Sequence, residues 1–336
     1  MSSAANDSFP RLLGDIGGTN ARFALQFSPG APLTSARTLS CALYPSLYHA
    51  IEQYLRECGP VRPHWAALGV ANPVTGDRVS MTNHSWSFSI SALKKDLGLA
   101  RLVVLNDFTA LALALPHLPA GDLEQVGGGV AQPGAALGLI GPGTGLGMSG
   151  LVPCGHDYTP LRGEGGHVTL AAWDEREAQI IARLRRRYGH VSAERALSGP
   201  GLVALYEICA ALRGAVPEIL SPPEISARAL SGACSLCREA LDHFCALLGT
   251  VAADLALVLG ARGGVYLGGG IVPKLGAYFA GSPFRGRFEQ KGRFSGYLSR
   301  IPTYVIRAPH PGLVGAARAL DRAEGSLEEE ALATPA

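Results

Sequence analysis

The sequence predicts an α/β protein of two related lobes, and three observations carry that expectation. Strand patterns alternate with stretches of helical period along the chain. At 336 residues the chain exceeds the usual size of one domain. Two glycine-tipped segments also share one layout: "LLGDIGGTNARFAL" at Leu12–Leu25 and "GLIGPGTGLGMSGLV" at Gly138–Val152. Each reads strand, tip, strand, with Gly18-Thr19 and Gly143-Thr144 at the tips, as two related lobes would.

Residues 11–16 and 21–27 predict two short strands. In the second, Ala21, Phe23, Leu25 and Phe27 share one face while Arg22 and Gln26 take the other, which describes a half-buried strand. Residues 28–36, "SPGAPLTSA", predict a loop, and 44–58 have helical period. Residues 65–83 alternate between strands and turns. "SALKKDLGL" at 91–99 predicts a short helix with Ser91 as its N-cap. Residues 101–107 predict a buried strand that feeds a helix at 108–116.

The glycine-rich stretch 126–136 predicts a loop near a domain boundary. A strand at 137–140, a turn and a strand to 152 follow. Helices are expected at 174–188, 200–213 and 226–261, then a strand in "GGVYLGGG" that ends in a glycine loop. "PTYVIR" predicts a late strand and "GLVGAARALDRA", 312–323, a last helix. The expected division is a small lobe of 8–117 with the last helix, 308–323, folded back onto it, and a large lobe of 118–307. The acidic 324–336 is expected to form a frayed, flexible tail.

With 47% hydrophobic and 17% charged residues the chain can bury a large core, which excludes a disordered or fibrous class. A net charge of +2 gives no field that points to nucleic acid or to a membrane surface. The basic cluster Arg183–Gly189 closes a helical pattern, where it complements the helix dipole and faces solvent. No charge-free apolar run approaches the length of a membrane span. The start "MSSAANDSFP" lacks the basic and apolar regions of a signal peptide, so a cytoplasmic protein with reduced thiols is expected. The odd count of seven cysteines fits free thiols. Cys234 and Cys237 form a CxxC, but with Leu241, Cys245 and Leu248 they follow helical spacing as one apolar stripe. A structural zinc site would need about four ligands, and no second pair is in view.

A glycine tip has a plain reading, a tight turn that permits positive φ. Its successive backbone N–H groups also form an anion-binding concavity. Asp15 ends an apolar strand, where a carboxylate needs water, a partner or a cation. Thr19 and Thr144 add hydroxyl donors. Neither tip holds a lysine, so phosphate there would need a bound Mg²⁺, and Asp15 is the carboxylate to hold it, through water. No P-loop pattern occurs. The second tip also breaks the dinucleotide fingerprint, with Met148 where glycine is required and a strand following instead of a helix.

Asn106 and Asp107 stand just past a buried strand, where α/β sheets bind ligands. Asp107 reads either as a helix cap or as a base. Glu164 and His167 are spaced for a metal on a helix, but Gly165 and Gly166 disfavour one, so both are expected to project from a loop. Glu194 precedes a Pro-Gly helix start, and Asn83, His84 and Trp86 share a polar loop. Together these side chains could pair the vicinal hydroxyls of a polyol.

Seven segments in order, "GDIGGTNARFAL", "TNHSW", "LNDFTALA", "GPGTGLG", "GEGGHVTLA", "SAERALSGPGL" and "LGGGIVPKL", resemble the bacterial ATP-dependent glucokinase family of the actin/hexokinase-like superfamily. The likeness runs from about Arg11 to Leu320. It implies a two-lobed actin/hexokinase-like (ribonuclease H-like) fold, with substrates in the cleft between the lobes. It implies a first phosphate loop of Gly14, Asp15, Ile16, Gly17, Gly18, Thr19 and Asn20, with Asp15 near Mg²⁺. The second loop would hold Gly143, Thr144 and Gly145, and the adenosine-side loop Gly268, Gly269 and Gly270. Asn83, Asn106, Asp107, Glu164, His167 and Glu194 match glucose-binding positions, and Asp107 the catalytic base. Glucose and ATP are the implied substrates, Mg²⁺ the cofactor, glycolysis the setting and a homodimer the assembly. A sister group carries a Cys-rich zinc motif after the Glu-x-x-His region, and this chain has none.

Overall fold

The computed structural model describes residues 8–82 and 84–333. The chain divides into two compact units. The first comprises the residues up to Leu118 together with those from Ala308 onward, and the second is Pro119–Arg307.

The first unit is built on a five-stranded sheet in the order β3-β2-β1-β4-β7. Its strands are β1 (Arg11–Ile16), β2 (Asn20–Gln26), β3 (Thr34–Ser40), β4 (Trp65–Val70) and β7 (Arg101–Asn106). β5 (Arg78–Ser80) and β6 (Ser87–Ser89) form a separate small hairpin. β1 runs antiparallel to β2 and parallel to β4, and β4 parallel to β7. The period of two sends alternate side chains to opposite faces. Leu12, Ile16, Phe23, Leu25 and Leu68 pack with Ile51 and Tyr54 of helix α1 (Leu47–Glu57). Leu13, Ala24 and Ala67 turn the other way and pack against Leu313, Ala316, Ala317 and Leu320 of the C-terminal helix (Pro311–Ala333).

That last helix is tied in twice more. The buried Arg11 guanidinium pairs with Asp321 at 2.5 Å and Glu324 at 2.6 Å. Gly315 lies so close to α3 (Asp107–Ala114) that a Cβ there would collide with the Ala110 carbonyl.

The second unit carries a six-stranded sheet, β11-β10-β9-β12-β13-β8. The strands are β8 (Leu123–Val126), β9 (Leu137–Pro142), β10 (Leu146–Cys154), β11 (Asp157–Pro160), β12 (Val265–Leu267) and β13 (Thr303–Ile306). β9, β10 and β11 pair antiparallel in series, and β9, β12 and β13 pair parallel. This repeats the topology of β1, β2, β3, β4 and β7, so the likeness of the two glycine segments extends to whole sheets. The sheet packs on a large cluster built from α4 (Glu175–Tyr188), α5 (Gly199–Leu212), α6 (Pro222–Leu230) and α7 (Ser235–Leu259), with short α8 (Ala277–Ala280), α9 (Phe284–Glu289) and α10 (Ser295–Leu298) beside them. α7 is long and apolar enough to cross a membrane, but 67% of its most apolar window is buried in the protein, as in a core helix.

Several expectations need correction. Part of the loop expected at 28–36 belongs to β3, an edge strand whose exposed polar residues give no apolar alternation. The cap of α2 (Ile90–Asp96) is Ser89, whose Oγ accepts from Ala92 N at 3.1 Å, while Ser91 lies inside the helix. The single helix expected at 226–261 is two. Gly232 takes φ +74° and ends the first, and Cys234 starts the second, its Sγ accepting from Cys237 N at 3.4 Å. The CxxC is thus a helix cap followed by a core stripe, with Cys237, Leu241, Cys245 and Leu248 all fully buried. The last helix runs on to Ala333, past residue 323 where the sequence pattern ended it.

Candidate functional site

The first unit gathers its polar residues at the carboxyl ends of β1, β4 and β7. Gly17 N donates to Asn20 O at 2.9 Å and closes the first tip. The turn sets the register, so Asp15 stands opposite Arg22. Arg22 NH1 donates to Asp15 Oδ2 at 3.2 Å, a cation that the alternation pattern had placed only on an outer face. Burial pushes the Asp15 carboxyl above the ordinary carboxylate range, against the opposing pull of Arg22 and His310. Asp15 is the carboxylate here that would hold Mg²⁺ through water, in competition with the single bond of 3.2 Å from Arg22, since that ion takes one or two carboxylates and fills its shell with phosphates and waters. The Cys41 amide donates to Thr19 O at 2.9 Å and its thiol to Gly17 O at 3.5 Å, which fixes the tip from behind.

Two strands along the sheet, Asn106 caps α3. Its Oδ1 accepts from Phe108 N at 2.9 Å and Thr109 N at 3.1 Å. The cap is therefore Asn106, and Asp107 is the first residue of the helix, where the partial positive end of the helix favours a carboxylate. Asp107 Oδ1 accepts from Asn106 Nδ2 at 3.1 Å and from its neighbour Phe108 N at 2.9 Å. Gly69 of β4, which the sequence reading passed over, lies between the two acids in the sheet. It pairs with Asp15 on one side, and a Cβ there would meet the Ala110 methyl and the Asp107 backbone of α3. Asn83 lies outside the described residues. The segment around it is anchored by Thr82 N, which donates to Asn72 Oδ1 at 2.9 Å, and by the buried Trp86, whose Nε1 donates to Tyr44 O at 3.0 Å.

The second unit repeats the placement at the carboxyl ends of β9 and β12. Gly143 N donates to Gly145 O at 2.8 Å across the second tip. The loop Gly268–Gly270 folds against it, through Gly268 N to Ile140 O at 2.9 Å and Ile271 N to Pro142 O at 3.2 Å. Gly269 has φ +77°, and a Cβ there would meet the Pro142 carbonyl. Beside both loops lies a largely apolar cavity of about 600 Å³, lined by Gly143, Thr144, Gly270 and Lys274, by Pro200 and Leu202 of α5 and by Pro222, Pro223 and Leu230 of α6. The α6 wall was not foreseen, because nothing in its sequence resembles a binding motif.

Glu194 Oε2 accepts from Leu146 N at 2.9 Å, directly past the second tip. Glu164 and His167 bound one turn of 3-10 helix at Gly165–His167, where a loop was expected. The glycines there serve close packing: a Cβ on Gly166 would collide with the Leu146 carbonyl. Ala193 N donates to Val168 O at 2.9 Å and Leu170 N to Val191 O at 3.0 Å. These bonds bring Glu164, His167 and Glu194 into one group with the second tip.

One further group among the described residues has metal-binding side chains: Cys209, Glu239 and His243, with ligand atoms within 4.8 Å of one another. Arg176 and Arg213 both hold Glu239, at 2.6 and 2.7 Å. Two guanidiniums on the central carboxylate oppose a divalent cation, so this is an ion-pair network under α5 and α7.

The model of the family described as Glucokinase matches residues 12–323. The chain belongs to the glucokinase family. A glucokinase from Aromatoleum aromaticum is 62% identical over 324 residues, covering 96% of this chain and 98% of that relative. The crystal structure of a glucokinase from an Antarctic psychrotroph superposes with a TM-score of 0.84 at 38% identity, over 93% of this chain and 99% of that one. A ROK family glucokinase from Streptomyces griseus, solved with glucose and AMPPNP, shares the fold at a TM-score of 0.63 and 19% identity, over 92% and 98% of the two chains. The actin/hexokinase-like fold of these glucokinase relatives agrees with the repeated sheet topology.

Proposed function

We propose that this chain transfers the γ-phosphoryl group of ATP to the 6-hydroxyl of D-glucose, giving glucose 6-phosphate and ADP, with Asp107 as the base. The observation that carries this reading is the place of Asp107. It opens α3 at the end of β7, beside the capping Asn106, in the sheet whose β1 presents Asp15 and the first tip.

Asp107 accepts a hydrogen bond from the sugar hydroxyl and aims its oxygen. In a loose transition state little proton transfer is needed early, so positioning and charge carry most of the catalysis. Asn106 fixes the start of α3 and so the direction of that carboxylate. Glu164, His167 and Glu194 supply partners for ring hydroxyls, and a sugar epimer that leaves one of them unpaired loses about 1–3 kcal/mol. The first tip meets phosphate. The second tip and the Gly268–Gly270 loop hold the remaining phosphate and the ribose, and the apolar cavity under α6 takes the base. Mg²⁺, held near Asp15, supplies charge neutralisation on the phosphates when bound.

The proposal extends to a cytoplasmic homodimer that feeds glycolysis, which sedimentation of the purified protein would test for assembly state. The catalytic reading is tested by a coupled assay for ADP across sugars and phosphoryl donors. Glucose-dependent ADP release from ATP is expected. ATP hydrolysis indifferent to sugar, or no turnover, would reject it.

A further inference from the structure

The glycine-rich stretch 126–136 takes no part in the function proposed above, yet the fold holds it closely. Gly129 has φ +95°, and a Cβ there would collide with the Arg300 carbonyl. Val130 N donates to Arg300 O at 3.2 Å and Gln132 N to Arg262 O at 3.0 Å. Arg262 follows α7 just ahead of β12, and Arg300 follows α10 just ahead of β13. The loop therefore fixes the backbones of two arginines at the amino ends of neighbouring parallel strands, away from the Gly268–Gly270 loop at the carboxyl end of β12.

Arg262, Arg300, Gln132 and Tyr297 line a cavity of about 290 Å³, with Val130 and Ile301 as its apolar part. No carboxylate lines it among the described residues. Neither guanidinium has an acidic partner there, and the Tyr297 hydroxyl makes no hydrogen bond. Two like charges on one hollow repel each other and attract an anion. Each guanidinium is a planar fork of N–H donors that matches phosphate oxygens, and the hydroxyl and the amide add further donors. The volume is about half that of the 600 Å³ cavity beside the second tip, which suits a small anion and not a nucleotide. A cavity of about 700 Å³ between α1 and α2 differs in charge: Arg56, Arg62 and Lys95 line it together with Glu52 and Asp96, which offset them.

We propose that Arg262 and Arg300 form a second anion site, which binds the phosphate group of free phosphate or of a small phosphate monoester. The glycine loop is its scaffold, because it holds the two arginines side by side.

The test is calorimetry with inorganic phosphate and with glucose 6-phosphate, on wild type and on the double variant Arg262→Gln/Arg300→Gln. Each titration is run alone and again with glucose and AMPPNP present, so that the sites proposed above are filled. Wild type is expected to bind at least one probe in the presence of glucose and AMPPNP. The double variant should lose at least about tenfold in that affinity, the scale of a hydrogen bond to a charged group. Lysine at both positions should recover part of the loss. Tighter binding of glucose 6-phosphate than of phosphate would identify an ester as the ligand, and the reverse order free phosphate. Both side chains are exposed, so the variants should turn over glucose as wild type does. Binding of neither probe by wild type beside glucose and AMPPNP, or equal binding by the double variant, would overturn the assignment. The comparison between proteins is also made without those two ligands, so it does not depend on the function proposed above.

Discussion

At the first tip, Asp15 and Arg22 flank a turn whose glycines are backed by Cys41. At the second, Gly143–Gly145 sits against a glycine loop and a largely apolar cavity, and the nearest bonded acid, Glu194, is tied to the backbone of β10. The two tips descend from the same strand-tip-strand layout and end the same kind of parallel strand. One has been furnished with charge and the other with shape. A repeated scaffold can therefore carry two unlike ends: side chains on a short hairpin in one unit, helices added behind a loop in the other.

The largest break in this comparison should come from the first unit. Asp107→Asn keeps the helix start, because Asn106 is the cap, and is expected to lower kcat by about 10²-fold or more with glucose affinity largely kept. Steady-state kinetics beside glucose titration checks this, and wild-type turnover would return Asp107 to a structural role. A smaller and differently shaped loss should follow in the second unit. Gly269→Ala forces a side chain into a left-handed backbone and against the Pro142 carbonyl. Strain of about 1–3 kcal/mol there should raise the KM for ATP by about tenfold or more and spare the KM for glucose. Equal effects on both would erase the division proposed between the tips.

The smallest effect concerns the helical core of the second unit. Burial pushes the Cys209 and Cys245 thiols of α5 and α7 up to about 12, from an ordinary 9.0. Unfolded thiols lose their protons from about pH 9, while the folded ones keep theirs toward pH 12. The unfolded state then binds fewer protons, so stability is intact below pH 9 and falls as pH rises, by up to about 1.4 kcal/mol per pH unit for each thiol. Thermal melting across that range should show the fall, and Cys245→Ala should make it shallower. An unchanged slope in that variant would assign the alkaline loss to other groups.

Much of the site was legible because its residues lie at strand ends. The tight tip between β1 and β2 fixes Asp15 opposite Arg22, so that pair could have been read from the turn alone. Periodicity instead suggested a solvent-facing arginine. Asn106 and Asp107 were found by position, but which of them caps the helix depends on where α3 begins, and a shift of one residue decides it. Gly165 and Gly166 were read as helix breakers, whereas the fold uses their missing side chains to lay a turn on β10. Gly69 and the α6 wall of the cavity act through packing across the chain, which leaves no local pattern. Edge strand β3 was missed for the converse reason, since a strand with little to bury shows no alternation.

The C-terminal helix has a consequence for biosynthesis. Its residues Leu313, Ala316, Ala317 and Leu320 cover one face of the sheet that begins at Arg11, and its acids pair the buried Arg11. While the ribosome is still making the second unit, that face is bare and the arginine has lost both carboxylates. The half of the protein translated first is thus the half completed last. A nascent chain stalled anywhere before residue 308 would display an uncovered apolar sheet, and chaperone capture of such stalled chains is the expected result.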